Sequence, residues 1–395
     1  MLSAIWLAAC TQLPVEKPAP APAVEPISKA LPVEPVLTPM PVPSTGFSRK
    51  TQVAAWKDLP GWADDDHAAA WPAFLLSCRG MASKPHGPAW KRVCQVAKGA
   101  DPQNARQFFE THLKPYALLS GDGSASGLVT GYYEPLLRGS RTQSPGFEQP
   151  VRGVPDDILT IDLSSVFPEL KDKRVRGRLV GNKVVPYWSR AEIAARGDQL
   201  PSRTLLYVDD AIELFFLQVQ GSGRVKLSDG GTVRLNYGEH NGHPYQSIGK
   251  ALVDRGELKL EEASMQGIQA WARANPSRLN ELLNTNPSYV FFREVPNSND
   301  GPQGALGVPL VAERSIAIDP RSVALGTPVF LATTRPNSTQ AMNRLVMAQD
   351  TGGAIKGAVR ADFFWGFGKE AGEQAGRMKQ AGRMWVLLPA EATPK

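Results

Sequence analysis

Hydrophobic side chains recur at three- and four-residue spacing between residues 56 and 119. The spacing is clearest at 71–78 and 102–113, and it is the spacing that places apolar residues on one face of a helix. Asp101 followed by Pro102 is a common start of a helix, because aspartate caps free N–H groups and proline fits the first turn. The pattern therefore predicts N-terminal helices.

From residue 127 onward the pattern changes to short apolar runs that are separated by glycine and proline. Such runs are typical of β-strands in barrels and sandwiches. Helical spacing returns only at 247–255 and 264–284. The predicted strands lie at 127–133, 205–208, 290–293, 315–318, 328–331, 345–348 and 384–388. The last five fall within about 100 residues and predict a small barrel, so we expect a mainly β fold.

The N-terminus has the pattern of a bacterial lipoprotein. A short apolar stretch ends in Leu7-Ala-Ala-Cys10, and residues 14–43 contain ten prolines in thirty positions. A proline-rich segment favours extended polyproline geometry and cannot build a core, so it is a spacer. We therefore predict a signal at 1–10 ending at a lipidated Cys10, and a tether at 11–45. Thr11, rather than aspartate, favours the outer membrane in enterobacterial-type sorting, facing the periplasm of a Gram-negative cell.

The composition narrows the function classes. The chain has 395 residues, of which 42% are hydrophobic and 21% charged, so it is not disordered. No run of 18 apolar residues is present, which excludes an integral membrane bundle. The net charge of +6 is spread along the chain and does not indicate nucleic acid. Cys78 and Cys94 fit a disulfide or two free thiols equally well, and neither they nor the five histidines have metal-ligand spacing.

Three aspartates in the last third, Asp319, Asp350 and Asp362, carry the candidate chemistry. Asp350-Thr-Gly copies the aspartic protease tripeptide, but that chemistry needs a second copy, which the chain lacks, so only a dimeric protease remains. Glycoside cleavage instead needs one carboxylic acid that keeps its proton near neutral pH. Asp362 precedes Phe363-Phe-Trp365, an aromatic setting that raises a carboxyl pKa by burial. Turn positions remain the alternative for Asp362, and more so for Asp319.

Six segments together resemble the membrane-bound lytic murein transglycosylase A family. They are GYYEP at 131–135, VQGSG at 219–223, NGHPYQSIG at 241–249, NPSYVFF at 286–292, DTGGAIKG at 350–357 and GRMWV at 382–386. The resemblance covers roughly residues 56 to 389. It implies a double-psi β-barrel built from 46–130 and 290–389, the latter being the family's three-aspartate module. An inserted β-domain at 131–289 is then separated from the barrel by a deep groove.

The resemblance also implies the reaction. Family members cleave the β-1,4 bond between N-acetylmuramic acid and N-acetylglucosamine in peptidoglycan without water, leaving 1,6-anhydromuramyl ends, and they use no cofactor and no metal. Asp362 matches the catalytic acid and base. Asp350, Asp319 and Lys356 match supporting positions around it. The residues expected to hold sugars, each of which also fits a packing or turn role, are Tyr132, Tyr133, Gln220, Ser222, Asn241 and Tyr245.

One position departs from the family pattern, since Ala361 precedes Asp362 where an aromatic residue often stands. The expected partner is the glycan strand of peptidoglycan, whose acidic peptides suit a basic surface. Protein partners in cell-wall synthesis or scaffolding are not identified by the sequence. Two other functions fit parts of the pattern: a barrel that binds glycan without cutting it, and a dimeric aspartic protease that uses Asp350.

Overall fold

The computed structural model describes residues 51–170, 173 and 175–391. The predicted signal at 1–10, the lipidated Cys10 and the whole tether at 11–45 lie outside the described residues, as does the remainder of the chain before Thr51. None of the helices in the described part is long and apolar enough to cross a membrane.

Helices precede the barrel, as the spacing predicts. They are α1 (His67–Met81), α2 (Gly87–Ala97) and α3 (Ala105–His112), and a short strand β1 (Thr51–Val53) comes before them. The Asp66 carboxylate caps α1 by accepting from the N–H of Ala69 at 3.1 Å. Trp71 and Phe74 of α1 are buried in one cluster with Phe330 of the barrel, so the helices pack on its outside. Cys78 and Cys94 form a disulfide that joins α1 to α2, which decides the alternative that the sequence left open.

The helical prediction ends too late along the chain. Residues Leu113–Leu118 form a strand, β2, instead of the last helical turns. Pro115 lies inside this segment, and proline lacks the N–H that a helix needs at that point. The strand instead pairs antiparallel with the last strand of the chain.

A closed barrel of six strands forms the main body. Its strands are β3 (Gly127–Glu134), β13 (Ser315–Ile318), β14 (Pro328–Thr334), β15 (Ala341–Thr351), β16 (Arg360–Phe367) and β17 (Lys379–Pro389). They follow the order β17-β14-β15-β13-β16-β3, and β3 pairs back onto β17 to close the ring. Two neighbouring pairs are parallel, β13 with β15 and β16 with β3. Helix α9 (Gly368–Arg377) lies between β16 and β17 in the chain and contacts β3.

The chain between β3 and β13 builds a second β-structure. One sheet has the order β12-β11-β10-β4-β9-β5, and a smaller one has the order β6-β7-β8. Their strands are β4 (Leu136–Ser140), β5 (Gln149–Arg152), β6 (Leu159–Thr160), β7 (Arg176–Val180), β8 (Lys183–Pro186), β9 (Thr204–Val208), β10 (Ser222–Leu227), β11 (Thr232–His240) and β12 (Val290–Val295). The helices here are α4 (Arg190–Arg196), α5 (Ala211–Gln220), α6 (Ile248–Asp254), α7 (Met265–Ala274) and α8 (Leu279–Asn284).

The fold thus confirms the mainly β class, with a barrel, a second β-domain and N-terminal helices; the double-psi crossing of the barrel strands stays a prediction. The sheets also suggest where the parts meet. β3 continues in the barrel to Glu134, and β12, at 290–295, belongs to the second sheet. We therefore propose that the inserted domain spans 136–295, in place of the boundaries at 131 and 289 that the sequence predicts.

Candidate active site

Two of the three aspartates lie on one rung across the barrel wall. Thr130 on β3 is the register partner of Asp362 on β16. Asp362 is in turn opposite Ala317 on β13, and Ala317 is opposite Asp350 on β15. Residues that face each other across neighbouring strands point to the same side of a sheet. The barrel therefore brings Asp362 and Asp350 together although the sequence places them on separate strands.

Asp362 is held by a chain of two hydrogen bonds. The Thr130 hydroxyl donates to Asp362 Oδ1 at 2.5 Å, and Arg360 Nη2 donates to Thr130 Oγ1 at 2.9 Å. Because a guanidinium only donates, Thr130 accepts from Arg360 and directs its own proton to Asp362. Burial raises the pKa of Asp362 above its ordinary value, and this outweighs the opposite effects of Thr130 and Arg360. The carboxyl therefore keeps its proton to higher pH than an exposed aspartate.

Asp350 has a different set of partners. The Tyr132 hydroxyl donates to Asp350 Oδ2 at 3.1 Å, and the N–H of Ala305 donates to Oδ1 at 2.9 Å. Burial is the largest influence and raises the pKa of Asp350 to about 6, with the charge of Asp362 acting in the same direction. The ring of Tyr132 packs on Phe364 with centroids 5.2 Å apart. Tyr132, one of the predicted sugar-binding residues, is thus a direct hydrogen-bond partner of Asp350.

Asp319 connects two backbone segments through its hydrogen bonds. Its side chain is 2% exposed and accepts from Arg321 Nε and Nη2 at 2.9 and 2.7 Å, and from the N–H of Gly357 at 2.9 Å. Although burial alone raises a carboxyl pKa, these hydrogen bonds outweigh it and lower the pKa of Asp319 to about 2. Asp319 stays ionised and fastens the end of β13 to the loop between β15 and β16.

That loop carries Lys356. The Lys356 side chain is exposed, and so is Gly353 earlier in the same loop. Gly357 has a φ of +111°, a conformation that residues with a Cβ rarely adopt, and its N–H reaches Asp319. Lys356 is therefore carried on a loop whose base is fixed while its own ammonium group faces solvent.

Tyr133 and Gln220 of the predicted sugar-binding set contact each other. Gln220 Oε1, at the end of α5, accepts from the backbone N–H of Tyr133 at 3.0 Å. The Tyr133 side chain is buried in a core cluster with Val129 and Trp365, and burial raises its pKa to about 12. Its position is that of a packing residue, whereas Gln220 is only partly buried.

Ser222, Asn241 and Tyr245 lie farther along the inserted domain. Ser222 is buried on β10 opposite Asn236. Asn241 is 1% exposed; it donates to the carbonyls of Trp188 and Pro287 at 2.8 Å each and accepts from the N–H of Tyr289 at 2.9 Å. These hydrogen bonds connect the segment that carries Asn241 with those at residue 188 and at residues 287–289. Tyr245 is 45% exposed, so part of its side chain is accessible to a ligand.

Several polar residues of the site are absent from the sequence prediction. Thr130 and Arg360 border Asp362, and Glu134, at the end of β3, pairs with Arg224 of β10 at 3.0 Å. Thr130 directly precedes the GYYEP motif and Glu134 lies within it. This motif is the feature of the sequence that could have indicated both residues. Among the described residues, no group of three His, Cys, Asp or Glu side chains is arranged to hold a metal ion.

Comparisons with known proteins agree with this architecture. Residues 128–293 match the family described as the MltA specific insert domain, and residues 314–388 match the 3D domain family. The chain is 35% identical over 299 residues to the membrane-bound lytic murein transglycosylase A of Escherichia coli K12, covering 74% of this chain and 73% of that protein.

Two solved structures extend the likeness. The crystal structure of MltA from Neisseria gonorrhoeae superposes with a TM-score of 0.77 at 41% identity, covering 87% of this chain and 94% of that one. The crystal structure of Escherichia coli MltA with bound chitohexaose superposes with a TM-score of 0.65 at 29% identity, covering 87% and 96%.

Proposed function

The chain belongs to the membrane-bound lytic murein transglycosylase A family, and from this premise we propose that it is a peptidoglycan lytic transglycosylase. It cleaves the β-1,4 bond between N-acetylmuramic acid and N-acetylglucosamine and leaves a 1,6-anhydromuramyl end. The observation that carries the proposal is Asp362: a carboxyl in the barrel wall whose pKa is raised by burial and whose Oδ1 already accepts from Thr130.

The hydrogen-bond direction supports Oδ2 as the reactive oxygen of Asp362. Since Thr130 donates to Oδ1, the acidic proton of Asp362 resides on Oδ2. Oδ2 gives this proton to the glycosidic oxygen as the bond from C1 to that oxygen breaks, leaving an oxocarbenium-like ring. The muramyl O6 then attacks C1 and its proton returns to Asp362. The carboxyl ends the cycle protonated, so a single group serves first as acid and then as base, and no water is consumed.

Asp350 supports the charge that develops on the ring. With a pKa of about 6 it is mostly ionised at neutral pH, and it lies on the same rung as Asp362. A fixed carboxylate near an oxocarbenium-like carbon stabilises that carbon more than it stabilises the neutral substrate. The hydrogen bonds from Tyr132 and Ala305 keep Asp350 from moving toward Asp362.

The inserted domain supplies the other side of the substrate site. We assign sugar binding to Tyr245 and Gln220, whose side chains are at least partly exposed, and loop support to Asn241 and Ser222, which are buried. Lys356 extends from the loop next to Asp350 and is free to meet an anionic group of the substrate. The Escherichia coli relative of known structure binds chitohexaose, an oligosaccharide, which supports glycan strands as the substrate class.

The enzyme acts from a membrane anchor. We propose that Cys10 is lipidated, that residues 11–45 are the tether, and that the protein faces the periplasm from the outer membrane of a Gram-negative cell. The disulfide between Cys78 and Cys94 supports an oxidising compartment, because structural disulfides persist there and are rare in the cytosol. The curated Escherichia coli relative is likewise called membrane-bound.

Mass spectrometry of the products from purified peptidoglycan sacculi tests the reaction. The wild type is expected to release anhydromuropeptides, and Asp362→Asn to release at least about 100-fold less, because general acid catalysis contributes about that much. Asp254→Asn is the matched control, since it makes the same chemical change at an exposed position of helix α6.

The other outcomes separate the alternatives. Muropeptides with reducing ends instead of anhydro ends would show a hydrolase that uses water. No glycan product from either protein, together with retained binding to sacculi, would show a barrel that only binds glycan. Peptide cleavage that disappears in Asp350→Asn would show the dimeric aspartic protease.

A further inference from the structure

A group of arginines lies on the polar face of the second sheet, opposite its apolar core. Arg224 on β10 and Arg234 on β11 are direct cross-strand neighbours, and Arg293 on β12 is one rung away, opposite Asn236. Like charges that face each other across strands destabilise a sheet. Adjacent arginines are stabilised when an anionic group lies between their guanidinium groups.

One buried acid offsets part of this charge. Glu134 is 1% exposed and pairs with Arg224 at 3.0 Å, whereas Arg234 comes no closer than 3.9 Å to it. Asp300 is the other acid close by, and it is exposed, its carboxylate accepting from the Ser298 hydroxyl at 3.3 Å. Three guanidinium groups therefore lie near two carboxylates, of which only Glu134 forms ion pairs with them, and this leaves a positive excess on this face.

A cavity of about 400 Å³ opens beside Arg224 and Arg234. The other lining residues are Thr232, Asn297, Ser298 and Asn299. All six side chains carry hydrogen-bond donors and none of the six is acidic. Within the described part of the chain, Arg234 Nε has no hydrogen-bond partner, although Nη1 donates to Ser298 and Nη2 to the carbonyls of Asp300 and Gly301.

We infer that this cavity is a carboxylate-binding subsite that takes an acidic peptide branch of the glycan strand. The inference rests on the proposed function, because it specifies which substrate the transglycosylase prefers. Guanidinium groups are the preferred partners of carboxylates, and a partly buried pair of them binds one more strongly than an exposed surface does.

The distance to Asp362 suits a branch of the same substrate. The Arg224 guanidinium stacks over the ring of Phe367 at 4.4 Å, and Phe367 is five residues beyond Asp362 on β16. Five strand residues span at most roughly 16 Å, and the irregularity between Phe364 and Phe367 shortens this span. An extended peptide of about five residues covers that length.

The loop that follows β12 connects the two sites. Its carbonyls at Asp300 and Gly301 accept from Arg234, and its N–H at Ala305 donates to Asp350. A carboxylate bound in the cavity thus contacts the same short loop that fixes the supporting carboxylate of the active site.

The test compares two substrates: glycan strands that carry their peptides, and the same strands after an amidase has removed the peptides. The measured quantity is the ratio of kcat/KM for the peptide-bearing strands to kcat/KM for the stripped strands. In Arg234→Gln this ratio is expected to fall about tenfold, the loss for one charged hydrogen-bonding partner. Asn299→Asp, which adds a negative charge at the exposed edge of the cavity, is expected to lower it roughly two- to fivefold.

Asn280→Asp is the matched control, because it adds the same charge at an exposed position of α8, which does not line the cavity, and its ratio should equal that of the wild type. Calorimetric binding of the free peptides released by the amidase gives a second readout: the wild type binds them, less tightly at high salt, and Asn299→Asp binds them more weakly. A ratio and an affinity that both stay at the wild-type value in Asn299→Asp and Arg234→Gln overturn the subsite. Failure of the wild type to cleave either substrate overturns the proposed function instead.

Discussion

Asp362 and Asp350 share a rung of the barrel, and their partners separate their roles. Asp362 accepts from a hydroxyl that Arg360 orients, while Asp350 accepts from a backbone N–H and a phenol. Both carboxyls have a raised pKa, in each case mainly because of burial. When a buried carboxyl with a raised pKa ionises, the free energy of unfolding falls. The stability of the folded protein therefore depends on pH.

Asp350→Asn should therefore stabilise the protein in alkaline solution. The folded-state pKa of about 6 is above the ordinary value of 3.8, so the folded protein holds its proton more tightly than the unfolded chain does. Stability falls as the pH rises from about 4 through 6, and the full penalty remains above that. Asparagine has no charge to bury, so the variant should gain up to about 3 kcal/mol in free energy of unfolding at pH 8.

Denaturant unfolding at pH 4 and pH 8 measures this gain. The difference between Asp350→Asn and wild type should be large at pH 8 and close to zero at pH 4, and the variant should lose activity at neutral pH. Asp254→Asn, on the surface, should show neither change. A gain of equal size at both pH values would mean that charge burial is not its source.

At this scale the sequence identifies the residues with distinctive chemistry and misses their orienting partners. Asp362 is predicted from its aromatic neighbours and Asp350 from the DTGGAIKG segment, and the roles of both stay a prediction. Thr130 lies 232 positions before Asp362 and meets it only through the parallel register of β3 and β16. Register between distant strands is set by the whole barrel, and a local pattern does not contain it.

Among the elements, α1 and α2 depend on a crosslink. The disulfide between Cys78 and Cys94 closes a separation of 16 residues. A loop of that length restricts the unfolded chain enough to stabilise the fold by about 3 kcal/mol. The Cys78→Ser, Cys94→Ser double variant should lose about that much in free energy of unfolding.

Reductant provides the reference for this measurement. The wild type treated with dithiothreitol should unfold at the same denaturant concentration as the untreated double variant, and dithiothreitol should not change the double variant further. Unchanged stability of the double variant would show that the packing of Trp71 and Phe74 alone holds these helices.

Helices and strands can be predicted where apolar and polar residues alternate regularly. They are missed where the whole element is buried, because the polar positions are then absent. The α1 and α3 helices show helical spacing and are found. Helix α5 is not, because Phe215, Phe216 and Leu217 are consecutive and all buried, so that no polar face marks the helix. The sequence pattern allows a turn at Asp362, yet this residue lies in strand β16, where the following residues Phe363 and Phe364 are both buried.

For the whole molecule, the sequence predicts the order of the parts along the chain, and the exact boundaries between them stay a prediction. The barrel is assembled from β3 and from β13 to β17, so its first strand is separated from the others by the entire inserted domain. β12 has the same short apolar pattern as the barrel strands that follow it. Only its pairing with β11 assigns it to the inserted sheet, and pairing is a long-range property.

The proposed anchor makes a prediction about where the intact protein acts. Cys10→Ser removes the thiol that would carry the lipid, and without acyl chains the affinity for the membrane is lost, because each buried CH₂ contributes about 0.8 kcal/mol. In a Gram-negative host the wild type should fractionate with the outer membrane and Cys10→Ser with the soluble periplasm. Purified protein of both kinds should release anhydromuropeptides from isolated sacculi at the same rate, since the strands that carry the candidate site begin at Gly127, far along the sequence from Cys10. Membrane fractionation of Cys10→Ser would assign the attachment to another part of the chain, whereas a soluble variant that no longer cuts the wall of living cells would show that the tether positions the enzyme on its substrate.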